Sequence, residues 1–116
     1  MIDNSGWFTW AKRDPGPADR WAYFGNQRNS MAAIYHHSLE GWFYPVNSTG
    51  HNEMKNPARH PTAWHGTIDN DGILWQHFPV FAWLQASNGG NPYGPAFETE
   101  GLFDMPLNES QIATWL

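Results

Sequence analysis

Six histidines, at positions 36, 37, 51, 60, 65 and 77, are the main chemical resource of this 116-residue chain, which contains no cysteine. Without thiols these residues can form no disulfide, thiolate nucleophile or Cys-ligated zinc, so any metal must be held by His, Asp or Glu. His36 and His37 end the apolar run 31–35 and lead into Ser38-Leu39-Glu40-Gly41. Successive strand residues point to opposite faces, so only one of the pair can face a given site. Strand ends that open into loops are common positions for site residues. Catalytic zinc takes three protein ligands and an open position, and one strand-end imidazole supplies one of the three.

Glu98 and Glu100, in Phe-Glu-Thr-Glu, stand at i and i+2 on a predicted strand and should share a face. That face is either solvated or carries a general base beside an activated water. His65 and His77 fall nearly opposite each other across a predicted hairpin, where a slip of one residue would put them on different faces. His51 and His60 sit in a polar loop. A single histidine is more often packed or hydrogen-bonded than functional, so the weight falls on the pair at 36 and 37.

Composition bounds the rest. A chain of this length is one domain or a piece of one. Eight Trp, seven Phe and four Tyr against 15% charged residues exceed the needs of a minimal core, and some of those rings should line a binding surface. The net charge of −5, with six scattered Lys and Arg, speaks against nucleic acid and against a basic membrane patch. No stretch approaches 18 apolar residues, and no cationic start precedes an apolar segment, so neither a membrane span nor a secretory signal is expected.

The elements that must hold these residues follow from periodicity and turn signals. Residues 1–30, rich in Gly, Pro, Asp and Asn, are expected to form an irregular arm pinned by Trp7, Trp10, Trp21 and Tyr23. Residues 31–37 predict a strand buried on both faces, followed by a long polar loop with prolines at 45, 57 and 61. Asp69-Asn70-Asp71-Gly72 predicts a hairpin turn between strands near 63–69 and 73–78, and a further strand is expected near 96. Asn108 with Gln111 three residues on is a capping-box pattern, with Ile112, Trp115 and Leu116 at helical spacing behind it. That helix has barely begun when the sequence ends, which predicts a domain cut short at its C-terminus.

In order, these pieces resemble the zinc-dependent N-acetylmuramoyl-L-alanine amidases of the type 2 family, the fold of phage T7 lysozyme, AmpD-like amidases and peptidoglycan recognition proteins. Ala-Ala-Ile-Tyr-His-His-Ser (32–38) is similar to the family's first strand, which ends in His-His or His-Cys before Ser or Thr. Residues 62–76 resemble its aromatic-His hairpin, and residues 81–101 its Ala-Trp-His-Ala-Gly loop and the following strand ending in Glu-Gly. Residues 105–116 resemble its Pro-Leu-Thr-Glu-Ala-Gln helix entry. The match covers about 31–116, the expected amidase-like domain.

The resemblance implies an α/β fold, a central mixed sheet flanked by helices. It implies hydrolysis of the amide between N-acetylmuramic acid and L-alanine by a zinc-activated water. His36 would be the first zinc ligand and Glu98 the catalytic base. His37 would border the substrate groove or pack behind the strand, Trp64 stands where the family often has a substrate-site aromatic close to the zinc-bound water, and Leu84 stands where the family has the groove histidine. The remaining zinc ligands are expected beyond Leu116, supplied by a missing segment or another chain. The implied partner is peptidoglycan or a muropeptide, and the implied setting a phage endolysin, a virion-associated enzyme or a cytoplasmic recycling amidase. The same pieces also fit a non-catalytic peptidoglycan-binding module or a structural phage component.

Overall fold

The computed structural model describes residues 1–39, 54–102 and 106–115, and of Asn88 the backbone only. Most of the expected long loop, with His51, and the terminal Leu116 lie outside the described residues. The fold is α/β: among the described residues, a five-stranded mixed sheet with short helices. The strands are β1 (Lys12–Arg13), β2 (Tyr35–Ser38), β3 (Gly66–Ile68), β4 (Leu74–Gln76) and β5 (Ala96–Thr99), in the spatial order β1-β4-β3-β5-β2. Only β3 and β4 are antiparallel; β1 joins β4, β5 joins β3 and β2 joins β5 in parallel. Among the described residues, α1 (Ala18–Ala22) and α2 (Glu109–Trp115) are α-helices, and residues 54–55 are also helical. Among the described residues no helix is long and apolar enough to cross a membrane.

Each face of the sheet has its own apolar layer. Ile68, Leu74, Val80 and Phe97 pack with Phe8, Ala11 and Trp115 on the α2 face. Leu39, Met54, Ala63, Trp64, Phe78, Ala82 and Leu84 pack with Trp21 and Trp75 on the other. The alternation of side chains along β3, β4 and β5 sends neighbouring residues into different layers, which is why short strands suffice to carry both.

The hairpin forms where the Asp-Asn-Asp-Gly signal predicts it. Asp69 Oδ1 accepts from the N–H of Asp71 and of Ile73, and Oδ2 accepts from the Trp75 indole, so one carboxylate closes the turn. Gly72 has a φ of +81° and lies against the backbone of Ser110, where a Cβ would not fit. The capping box is also present: the Gln111 N–H donates to Asn108 Oδ1 at 2.9 Å, and the Asn108 N–H donates to Gln111 Oε1 at 3.1 Å.

Two expectations differ from the structure. The first long strand shrinks to residues 35–38 and is not buried on both faces: Ile34 is 67% exposed and Met31 has a φ of +55°. Residues 32 and 33 instead donate to the carbonyl of Tyr93, so this stretch runs along a loop before it reaches β5. The N-terminal arm is more regular than its composition predicts, because it supplies β1 and α1. It is anchored by Gln76, whose side chain takes the Phe8 N–H and donates to Gly6 O, and by Arg20, which donates to the carbonyls of Thr62 and Asn56 while only 1% exposed.

His65 is a structural residue. It is 1% exposed, Nε2 lies 2.7 Å from Ala82 O, and Nδ1 accepts from the Ala96 N–H. Burial lowers its pKa from 6.5 to about 4. A depressed folded value stabilises fully above pH 6.5, and that contribution is lost as pH falls from there through about 4, because the unfolded chain takes the proton first. The urea midpoint followed by Trp fluorescence should therefore drop between pH 7.5 and 4.5, and His65→Gln should flatten that drop. An unchanged midpoint across the window would contradict this assignment.

Candidate functional site

The site expected from sequence lies where β2 and β5 run side by side. Their parallel register pairs Tyr35 with Ala96, His36 with Phe97, His37 with Glu98 and Ser38 with Thr99. Laterally paired residues of adjacent strands share a face, so His37 and Glu98 stand together on one side, and His36 stands with Phe97 on the other. The side chains agree. Phe97 packs against Trp115 and Phe8 on the α2 face, and there the His36 ring lies 4.6 Å from the Trp115 ring, with Nε2 2.7 Å from Thr99 Oγ1. On the opposite face, His37 Nε2 lies 2.9 Å from Ser87 Oγ.

The structure thus separates His36 from Glu98, the two residues that the resemblance assigns to metal and base. The physical reason is the pleat: His36 and Glu98 differ by one place in register, and one place changes the face. Glu100 does not continue the row of Glu98, because β5 ends at Thr99. Its Oε2 accepts from the Asn70 N–H at 2.6 Å, and it joins His36, Ser38, Asn70 and Gln111 around a polar cavity of about 180 Å³ on the α2 side.

The His37 face is built by the loop after β4. Asn91 Oδ1 accepts from the N–H groups of Ala86 and Ser87, fixing the turn that carries the Ser87 hydroxyl to His37. Ser87 is the site residue that sequence reasoning missed. The Ser-Asn-Gly-Gly turn signal was available, but nothing local ties it to a histidine 50 residues away. Leu84 and Trp64, expected to border substrate, are 1% and 4% exposed and fill the core beneath this face. The apolar Leu84 side chain is drawn into the interior, and the Trp64 indole N–H is taken by Thr67 Oγ1 at 2.8 Å.

His65 and His77, opposite each other as expected, do not form a metal pair, since both nitrogens of each ring already have protein partners. Among the described residues no three His, Asp or Glu side chains come together to hold a metal. They do not by themselves fit the three-ligand zinc site that the resemblance implies.

No family model matches the sequence, and no curated protein matches it. Among solved structures, a crystal structure of a selenomethionine derivative of AmpD matches with a TM-score of 0.61 and 19% identity, over 99% of this chain and 74% of AmpD. The shared feature is the fold: this chain has the mixed-sheet α/β architecture of AmpD.

Partial burial, and secondarily the neighbouring His37, lower the pKa of His36 below 6.5. Histidine ring resonances followed by NMR should show His36 titrating below that value, and His37→Ala should move it upward. A His36 that titrates at or above 6.5 would contradict the geometry.

Proposed function

We propose that this chain is a peptidoglycan-directed domain of the amidase fold that engages the bond between N-acetylmuramic acid and L-alanine along its His37–Glu98 face. The observation that carries this reading is the β2–β5 register, which sets an imidazole and a carboxylate side by side at a strand end, on a fold in common with AmpD. An amide presents one donor and one acceptor. The Glu98 carboxylate can accept the amide N–H, and the His37 imidazole or the Ser87 hydroxyl can donate to its carbonyl. The sugar and peptide on either side would lie along the loop that carries Ser87.

Hydrolysis of this bond would need a zinc ion to supply an activated water, and Glu98 would then stand as the proton acceptor. That chemistry calls for ligands beyond those the described residues bring together, supplied from elsewhere in this chain or from another. Binding without hydrolysis is the second reading, favoured by the donor set: the β2–β5 ladder pairs one imidazole with one carboxylate, and among the described residues no three His, Asp or Glu side chains come together.

The purified chain should sediment with isolated peptidoglycan sacculi. His37→Ala and Glu98→Ala should each weaken that binding about tenfold, the scale of a lost central contact, while Glu109→Ala, on the exposed side of α2, should not. Release of new L-alanine amino groups would identify hydrolysis, and sedimentation without release would identify a binding module. A chain that stays in the supernatant would overturn the proposal.

A further inference from the structure

A line of buried polar groups runs beneath the candidate site, and nothing in the reading above uses it. The Trp64 indole N–H donates to Thr67 Oγ1 at 2.8 Å. Thr67 Oγ1 lies 2.8 Å from His77 Nε2. His77 Nδ1 lies 2.8 Å from the Asp14 backbone oxygen and 3.3 Å from Asp14 Oδ2. Thr67 is 0% exposed and His77 1%. The line reaches the surface at Asp14, whose Oδ1 is 3.0 Å from Lys55 Nζ.

The partners fix the protons. Both Asp14 oxygens only accept, so Nδ1 of His77 carries the hydrogen and Nε2 is an acceptor. The Thr67 hydroxyl then donates to Nε2, and its oxygen accepts from Trp64. Every donor points the same way, from Trp64 through Thr67 and His77 to Asp14, and aligned hydrogen bonds strengthen one another. Burial lowers the His77 pKa, which suits a neutral ring. The hydrogen bond from His77, with a smaller contribution from Lys55, lowers that of Asp14 to about 2, which suits a carboxylate.

The line meets the candidate site at Thr67. In the β3–β5 ladder Thr67 pairs with Glu98, and in the β5–β2 ladder Glu98 pairs with His37. The three side chains form one row across three strands, on the face whose core layer contains Trp64. With its hydroxyl held at both ends, Thr67 is confined to one χ1 rotamer. The side wall beside Glu98 and the indole below it are therefore fixed from His77, just past β4, and from the N-terminal arm.

We propose that His77 is a positioning residue of the His37–Glu98 face, coupling the Asp14 segment of the arm to the row that engages substrate. The inference rests on the peptidoglycan-directed reading of that face. It makes the arm, which carries none of the family-like motifs, part of the working unit.

The test combines NMR with binding of a soluble muropeptide containing N-acetylmuramic acid and L-alanine. In the wild-type chain His77 should be the Nδ1–H tautomer, and the Trp64 indole N–H should exchange slowly. His77→Phe keeps a ring and removes both hydrogen bonds; His77→Gln keeps one donor and one acceptor. The Phe variant should shift the Trp64 indole resonance and weaken muropeptide binding about tenfold, the scale of an orphaned buried hydrogen-bonding group. The Gln variant should recover most of both. If the Phe variant does not fold, Thr67→Val, equal in shape and without the hydroxyl, should show the same loss.

Wild-type binding in the folded Phe or Val variant would overturn the positioning role, as would an Nε2–H tautomer or a freely exchanging Trp64 indole in the wild type. A wild-type chain that binds no muropeptide would instead overturn the functional reading, and with it the role assigned here to His77, whatever the tautomer.

Discussion

The parallel pairing of β2 with β5 is the constraint on which the rest of this structure depends. It is short, four residues on each strand, and closed by the Tyr35 N–H donating to Pro95 O and the Leu39 N–H donating to Thr99 O, both at 2.9 Å. Parallel strands cannot be joined by a tight turn, so this contact brings together residues some 60 positions apart in sequence. It sets two chemically different faces back to back. On one, His36 lies against Trp115 and a polar cavity. On the other, His37, Glu98 and Ser87 stand above a core that has absorbed Trp64 and Leu84.

Buried polar groups do much of the work that a larger apolar core would do elsewhere. With strands of two to four residues, the sheet leaves many loop carbonyls and N–H groups inside, and these must be satisfied by side chains. Arg20, Asn29, His65, Gln76 and Gln111 are all under 8% exposed, and each bridges segments distant in sequence. Asn29 donates to the carbonyls of Val80 and Ala82, and Gln111 to those of Asp69 and Glu100. Losing one such bridge leaves buried carbonyls unpaired, at a cost of about 1–3 kcal/mol each. The arm, the hairpin and α2 are held to the sheet by this means as much as by packing, and the His77 line belongs to the same class of contact.

Local signals were legible in the sequence wherever one residue makes the structure by itself. The Asp69 turn and the Asn108–Gln111 cap were expected near where they stand because each rests on a side chain bonding to its own neighbourhood, and the hairpin strands and β5 because turn signals and strand-like residues mark them. The mixed α/β sheet followed from the order of motifs and is the fold in common with AmpD. What was not legible depends on long-range register. Composition cannot show that β1 adds in parallel to β4, nor that residues 32 and 33 turn aside to Tyr93. The alternation rule stated that only one of His36 and His37 could face Glu98. Choosing between them needed the β2–β5 offset, which sequence spacing does not contain. Nor could the sequence show that Ser87 reaches His37, or that His77 bonds to Asp14 across 63 positions.

The central claim is therefore a register, and the absence of native cysteine makes it directly measurable. Two double variants would be treated with a short bifunctional thiol reagent that links only side chains of adjacent strands on one face: His37→Cys with Glu98→Cys, and His36→Cys with Glu98→Cys. The account predicts rapid intramolecular cross-linking of the first pair and little of the second. Efficient cross-linking of the 36–98 pair with none of the 37–98 pair would contradict it, and would return His36 to the face of Glu98.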